Sequence, residues 1–281
     1  MERFYILAPA LIPLAYILLM FGFFCVRTAM GYQPEIKGVN RRKFSELIGP
    51  FVTTFFLWLI RPIERACIKS NISPNLITVV SMAMCATAGI GAATGQLIVA
   101  MWAFAAAGML DVLDGRLARA TNRSSQAGAF LDSVSDRWGE LFVFTGLAWL
   151  LRDTPWLAAV MAAIGASLMV SYTRARGEGF GLSLDGGMMQ RAERIVLICL
   201  GLLIGISVGE PHTKDIIGIA LTIVATLATM TGIGRWVTGY RILKERETEV
   251  RIVAHEGNSK VIRATERQNH ELAATVDKHA A

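Results

Sequence analysis

An all-α polytopic membrane protein is predicted: a six-helix transmembrane core, preceded by an extra N-terminal transmembrane helix and an interfacial amphipathic helix. Three observations predict it. The 281 residues are 53% hydrophobic and only 18% charged, with a mean hydropathy of +0.47, too apolar for an ordinary soluble domain of this length. The apolar residues fall in blocks of about membrane-spanning length rather than in amphipathic stripes. Lysines and arginines gather between those blocks, in alternate connections, as expected of loops held on one side of a bilayer.

The first apolar block runs from about Phe4 to Val26. Its start pairs Glu2 with Arg3 instead of carrying a basic run, and its end, Phe23-Phe24-Cys25-Val26-Arg27, lacks the small residues a signal peptidase needs. Residues 1–27 are therefore predicted as an anchor helix, with Pro9 and Pro13 tolerated near one end. Residues 28–70 form a cytoplasmic and interfacial segment. It holds Lys37, Arg41, Arg42 and Lys43, then apolar blocks interleaved with Arg61, Glu64, Arg65 and Lys69, a pattern that suits a helix lying in the interface. Ser73-Pro74-Asn75 breaks the chain and opens the next helix.

Residues 71–240 are predicted as the six-helix domain, with spans at about 75–94, 96–115, 128–151, 155–175, 191–209 and 214–237. Residues 241–281 are a highly charged tail, read as a cytoplasmic helix or a disordered extension. The connections at Lys37–Lys43, Arg61–Lys69, Arg116–Arg123 and Arg174–Arg194 are basic, whereas those at Gly95, Asp153 and Pro211 are not. Seven spans with the N-terminus outside put every basic connection in the cytoplasm.

The net charge of +6 and isoelectric point near 9.3 are thereby explained by loops beside anionic lipid, with no nucleic-acid partner implied. Cys25, Cys67, Cys85 and Cys199 are scattered without a C-x-x-C pair, which argues against a disulfide framework or thiolate metal site. His212, His255, His270 and His279 all lie outside the apolar blocks, leaving no parts for a Ser–His–Asp hydrolase or a His-ligated zinc centre.

The chemistry concentrates in Asp111-Val-Leu-Asp114-Gly115-Arg-Leu-Ala118-Arg119, followed eight residues later by Gly128-Ala-Phe-Leu-Asp132-Ser-Val-Ser-Asp136. Residues three apart on a helix stand about 60° apart around its axis and residues four apart about 40°. Asp111 and Asp114 thus share a face at the end of one span, and Asp132 and Asp136 share a face at the start of the next. The short connection lets the two pairs converge. Four carboxylates together at a bilayer edge require cations among them, and an oxygen-only set points to Mg²⁺ or Mn²⁺. Carboxylates around a hard metal, without histidine, equip a site for phosphoryl transfer.

Asp-x-x-Asp-Gly-x-x-Ala-Arg-x8-Gly-x-x-x-Asp-x-x-x-Asp resembles the signature of the CDP-alcohol phosphotransferases, and residues 111–136 match every specified position. The resemblance extends over about residues 70–240. It implies that Asp111, Asp114, Asp132 and Asp136 are ligands of a binuclear Mg²⁺ or Mn²⁺ site, with Asp136 also the base that deprotonates the acceptor. It likewise implies a CDP site at Asn75, Thr78, Asp111, Gly115, Ala118, Arg119 and Gly128, and a homodimer.

A second polar cluster comprises Ser171-Tyr-Thr-Arg174-Ala-Arg176-Gly-Glu178, then Asp185-Gly186-Gly187 and Arg191-Ala192-Glu193-Arg194, with Arg235 at the end of the last span. Arginine outweighs lysine here, which suits two-pronged binding of phosphate. The stretch is similar to one in the phosphatidylinositol-phosphate synthase branch of that family, although Arg174 replaces a lysine and Ala192 a proline. The match implies that Ser171, Arg174, Arg194 and Arg235 hold the phosphate of the acceptor.

The expected reaction is transfer of a phosphatidyl group from CDP-diacylglycerol to inositol 1-phosphate, in a multi-pass protein of the cell membrane with its site facing the cytoplasm and open sideways to membrane lipid. Glycerol 3-phosphate, serine or free inositol as acceptor, or a CDP-inositol donor, would keep the same chemistry. A cation or proton transporter, the alternative of a different class, would carry its acids nearer the midplane and within inverted repeats.

Overall fold

The computed structural model describes residues 2–31 and 49–279, with side chains described between Pro9 and Gly31 (Ala10 excepted) and over 49–248. The basic residues Lys37, Arg41, Arg42 and Lys43 lie outside them. The described residues form eight α-helices: α1 (Glu2–Ala29), α2 (Gly49–Lys69), α3 (Pro74–Ala93), α4 (Leu97–Ala120), α5 (Gln126–Leu150), α6 (Leu157–Gly179), α7 (Arg191–Val208) and α8 (Thr213–His279). Helix α8 runs on past residue 241 without a break; at 1.5 Å per residue its 67 residues extend for about 100 Å.

Five helices are long and apolar enough to cross a bilayer: Leu11–Ala29, Pro74–Ala93, Leu97–Ala120, Leu157–Gly179 and Thr213–Thr248. The sequence reading predicts seven spans. The other two fail that criterion because α5 carries Asp132, Asp136, Arg137 and Glu140 through its first 15 residues and α7 carries Arg191, Glu193 and Arg194 in its first turn. Arg191 with Asp136 and Arg194 with Glu140 pair across the two helices inside the bundle, so α5 and α7 stand together among the spans. The protein is a multi-pass membrane protein.

Small residues set the closest contacts. Gly89 on α3 and Gly146 on α5 lie backbone against backbone, so that a Cβ on Gly146 would strike the Gly89 carbonyl and one on Gly89 the carbonyl of Phe142. Where lipid offers no hydrophobic drive between helices, such approach supplies the van der Waals contact. Ser81 on α3 donates to the Ala107 carbonyl of α4 over 2.9 Å. Around these contacts Phe104, Phe144, Leu147, Ile198, Leu202 and Leu221 close the main core.

Helix α2 is amphipathic, burying Leu57, Ile60, Glu64 and Cys67 at helical spacing. It is fastened to α4 by Arg116, whose Nε and Nη2 donate to Glu64 Oε2 over 3.1 and 2.7 Å. Helix α1 joins it through Phe24, 1% exposed, which stacks near Phe51, Phe55 and Trp58. Its other end is held where Trp102 Nε1 donates to the Pro9 carbonyl over 3.1 Å.

Candidate active site

The end of α4, the start of α5, the end of α6, the start of α7 and the middle of α8 come together at one end of the bundle. Asp111, Asp132 and Asp136 each direct a carboxylate oxygen into one spot, all within 4.8 Å of one another. They are half-buried. Among the described residues this is the group of acids close enough to hold a common cation, and its all-oxygen, histidine-free composition fits Mg²⁺ or Mn²⁺.

Asp114, the fourth predicted ligand, stands one step aside. It is 4% exposed and its Oδ2 accepts from Thr78 Oγ1 over 2.6 Å, while Asp111 and Asp132 lie within electrostatic reach. Thr78 is itself buried and lies over the first turn of α3, near the Pro74 carbonyl. Its hydroxyl thus orients Asp114.

Other residues assigned to the nucleotide are partly or wholly accessible. Asn75 and Arg119 are exposed, and Gly115, Ala118 and Gly128 half-buried. Gly128 opens α5, its N–H capped by Ser125 Oγ at 3.0 Å; a Cβ there would press within 3.3 Å of Asn75 Oδ1. Gly115 likewise leaves room for the Arg119 guanidinium folded back over it. At these two points the missing side chains make a shelf beside the acids on which Arg119 and Asn75 rest.

The second cluster is less uniform than its sequence suggests. Arg194 is 2% exposed and donates through Nε and Nη2 to Glu140 Oε1, over 3.0 and 2.6 Å. Arg235, also buried, donates to the carbonyls of Gly186 and Val170 over 2.9 and 2.8 Å and has no carboxylate within ion-pair distance among the described residues. Arg174 is exposed and shared between Glu178 at 3.0 Å and Asp185 at 3.3 Å. Arg174 and Arg194 both lie within electrostatic reach of Arg235, so the three converge although they come from different helices. Ser171 is half-buried on the turn before Arg174.

Two participants were not singled out from sequence. Arg191 Nη1 bridges Asp111 Oδ1 and Asp136 Oδ1, and Glu140 holds Arg194. Asp132, Asp136 and Glu140 repeat at intervals of four, a spacing that extends the acidic face by one turn and was the available signal for Glu140. Arg191 stands in the arginine-rich second cluster of the sequence, but nothing in its spacing points to Asp111 and Asp136 as its partners.

A family model described as CDP-alcohol phosphatidyltransferase matches residues 71–233. The phosphatidylinositol phosphate synthase of Mycolicibacterium smegmatis is 35% identical over 159 residues, covering 52% of this chain and 68% of that protein. The archaetidylinositol phosphate synthase of Methanothermobacter thermautotrophicus is 32% identical over 200 residues, covering 69% of this chain and all of that one. The crystal structure of Mycobacterium tuberculosis phosphatidylinositol phosphate synthase with CDP-DAG bound superposes with a TM-score of 0.57 at 26% identity, over 64% of this chain and 92% of that one. The same enzyme in complex with manganese and citrate gives 0.57 at 25% identity, over 64% and 88%.

Proposed function

We propose that this chain, which belongs to the CDP-alcohol phosphatidyltransferase family, transfers the phosphatidyl group of CDP-diacylglycerol to inositol 1-phosphate and releases CMP. The observation that carries this reading is the meeting, at one end of the bundle, of the Asp111–Asp132–Asp136 cluster with Arg235, a buried arginine whose hydrogen bonds go only to backbone carbonyls. The first suits a diphosphate with its counter-ions, and the second an anionic acceptor. The relatives support the acceptor: their names differ in the lipid, phosphatidyl or archaetidyl, and agree on inositol phosphate.

Asp111, Asp114, Asp132 and Asp136 would hold Mg²⁺ or Mn²⁺, as the manganese complex of the mycobacterial relative suggests; bound there, the ions neutralise the diphosphate and polarise its phosphorus–oxygen bonds. The shelf at Gly115 and Gly128 admits the nucleotide close to the backbone, with Arg119 and Asn75 on its open side. Arg235, with Arg174 and Ser171 around it, fixes the phosphate of the acceptor. Asp136 takes the proton from the attacking hydroxyl. The new bond forms from that oxygen to the β-phosphorus, the bond from the β-phosphorus to the bridging oxygen breaks, and CMP leaves with the electron pair. The distribution of basic connections favours a cytoplasmic position for this end.

The test is CMP release from CDP-diacylglycerol by the purified full chain, with inositol 1-phosphate, glycerol 3-phosphate, serine and free inositol offered separately. Turnover is expected with inositol 1-phosphate, lost on adding EDTA and restored by Mg²⁺ or Mn²⁺. Turnover of serine or free inositol in its place would overturn the acceptor assignment, and full activity after stripping divalent ions would overturn the metal assignment.

A further inference from the structure

Helices α5 and α7 are joined by two arginine–carboxylate rungs of opposite character. The deeper rung, Arg194 with Glu140, is closed: side chains 3% and 6% exposed, both donors on the carboxylate and a third nitrogen on the Met189 carbonyl at 3.3 Å. The outer rung is Arg191. It serves Asp111 and Asp136 through one nitrogen, Nη1, while its Nε is buried with no hydrogen-bond partner. A planar guanidinium placed as a permanent strut engages a carboxylate with two parallel donors and leaves no buried N–H idle. Arg191 does neither. Its charge stands where three converging carboxylates need a cation.

We propose that Arg191 is the resident counter-ion of the aspartate site: its guanidinium keeps Asp111 and Asp136 in register while no divalent ion is bound, and it competes with that ion for the same two oxygens. The inference rests on the reading of these aspartates as a metal centre. A dication and a guanidinium cannot share Asp111 Oδ1 and Asp136 Oδ1 without strong like-charge repulsion at close range. Loading the site therefore moves Arg191 off, and the two charge-assisted contacts it gives up are set against the binding of the ion. Arg191 is a positioning residue, exchanging places with the metal instead of assisting it. The arrangement spares the empty site the mutual repulsion of its acids and sets a ceiling on metal affinity.

The experiment is a Mn²⁺ titration of the detergent-solubilised full chain without substrate, following the electron paramagnetic resonance signal of free Mn²⁺. Arg191→Gln should bind Mn²⁺ about tenfold more tightly than the natural protein, as expected when a competing unit charge is removed from the site, with Arg191→Lys in between. Melting without metal should fall in Arg191→Gln and be restored by Mn²⁺. Affinity unchanged or weakened in Arg191→Gln, with the natural protein binding Mn²⁺ normally, would overturn the proposal. If Arg191→Gln does not fold, the same comparison is made with Arg191→Lys, for which unchanged or weaker binding is equally fatal. Failure of the natural protein to bind Mn²⁺ at all would instead remove the metal centre on which the inference stands.

Discussion

Arg194 and Glu140 form a buried ion pair in which two guanidinium nitrogens converge on one carboxylate oxygen, at 3.0 and 2.6 Å. By sequence Arg194 is a natural partner for the phosphate of the acceptor. Its donors are taken up by Glu140 and the Met189 carbonyl, which makes it a strut between α5 and α7. Replacing it leaves the buried Glu140 carboxylate without its hydrogen-bonded partner. Arg194→Gln should lower stability by about 3–5 kcal/mol, read from thermal melting in detergent, and the double variant with Glu140→Gln should recover part of that loss. A variant that melts normally and shows only a raised KM for inositol phosphate would return Arg194 to the substrate.

Arg235 differs because its hydrogen bonds go to carbonyls and, among the described residues, no carboxylate stands within ion-pair distance of it, Asp185 and Glu178 acting only from farther off. Arg235→Gln should raise the KM for inositol 1-phosphate about ten- to a hundredfold, the equivalent of one charge-assisted contact of 1.5–3 kcal/mol. The KM for CDP-diacylglycerol should stay nearly constant. Equal weakening of both substrates would show that Arg235 serves only as general basic surface.

Asp136, the base in the proposed transfer, keeps 21% of its side chain exposed. Asp136→Asn cannot take a proton, so turnover should drop by about 10²–10⁴-fold or more. Binding of the CDP-alcohol, measured by calorimetry with CDP-diacylglycerol in mixed micelles, should largely persist on the remaining three acids. Near-normal CMP release would remove Asp136 from the proton transfer.

The contact between Gly89 and Gly146 has no room for a methyl group. Gly146→Ala should force α3 and α5 apart and cost about 1–3 kcal/mol, as overpacking of a close contact does. Because α3 carries Thr78 and α5 carries Asp132 and Asp136, activity should fall along with the melting temperature. A melting curve that coincides with the natural protein's would show that the helices separate without penalty.

Much of this protein is determined locally. Hydropathy blocks delimit the helices because a bilayer span demands some twenty apolar residues whatever surrounds it, and predicted boundaries at 75–94 or 191–209 lie within a residue or two of α3 and α7. The Asp111–Asp136 motif is equally legible, since three- and four-residue spacings on a helix specify a face before any tertiary contact exists. The roles of the arginines are a different matter. Arg191, Arg194 and Arg235 look alike in sequence, each at the charged end of an apolar block. One bridges Asp111 and Asp136, one is locked to Glu140, and one is held by backbone carbonyls without an acid. Thr78, which the resemblance implies for the nucleotide site, hydrogen-bonds Asp114 only because α3 and α4 pack together. A side chain's partner is chosen by contacts between helices that are dozens of residues apart, 54 for Arg194 and Glu140 and 36 for Thr78 and Asp114. Periodicity within one helix contains no term for that choice; only the packing of the bundle does.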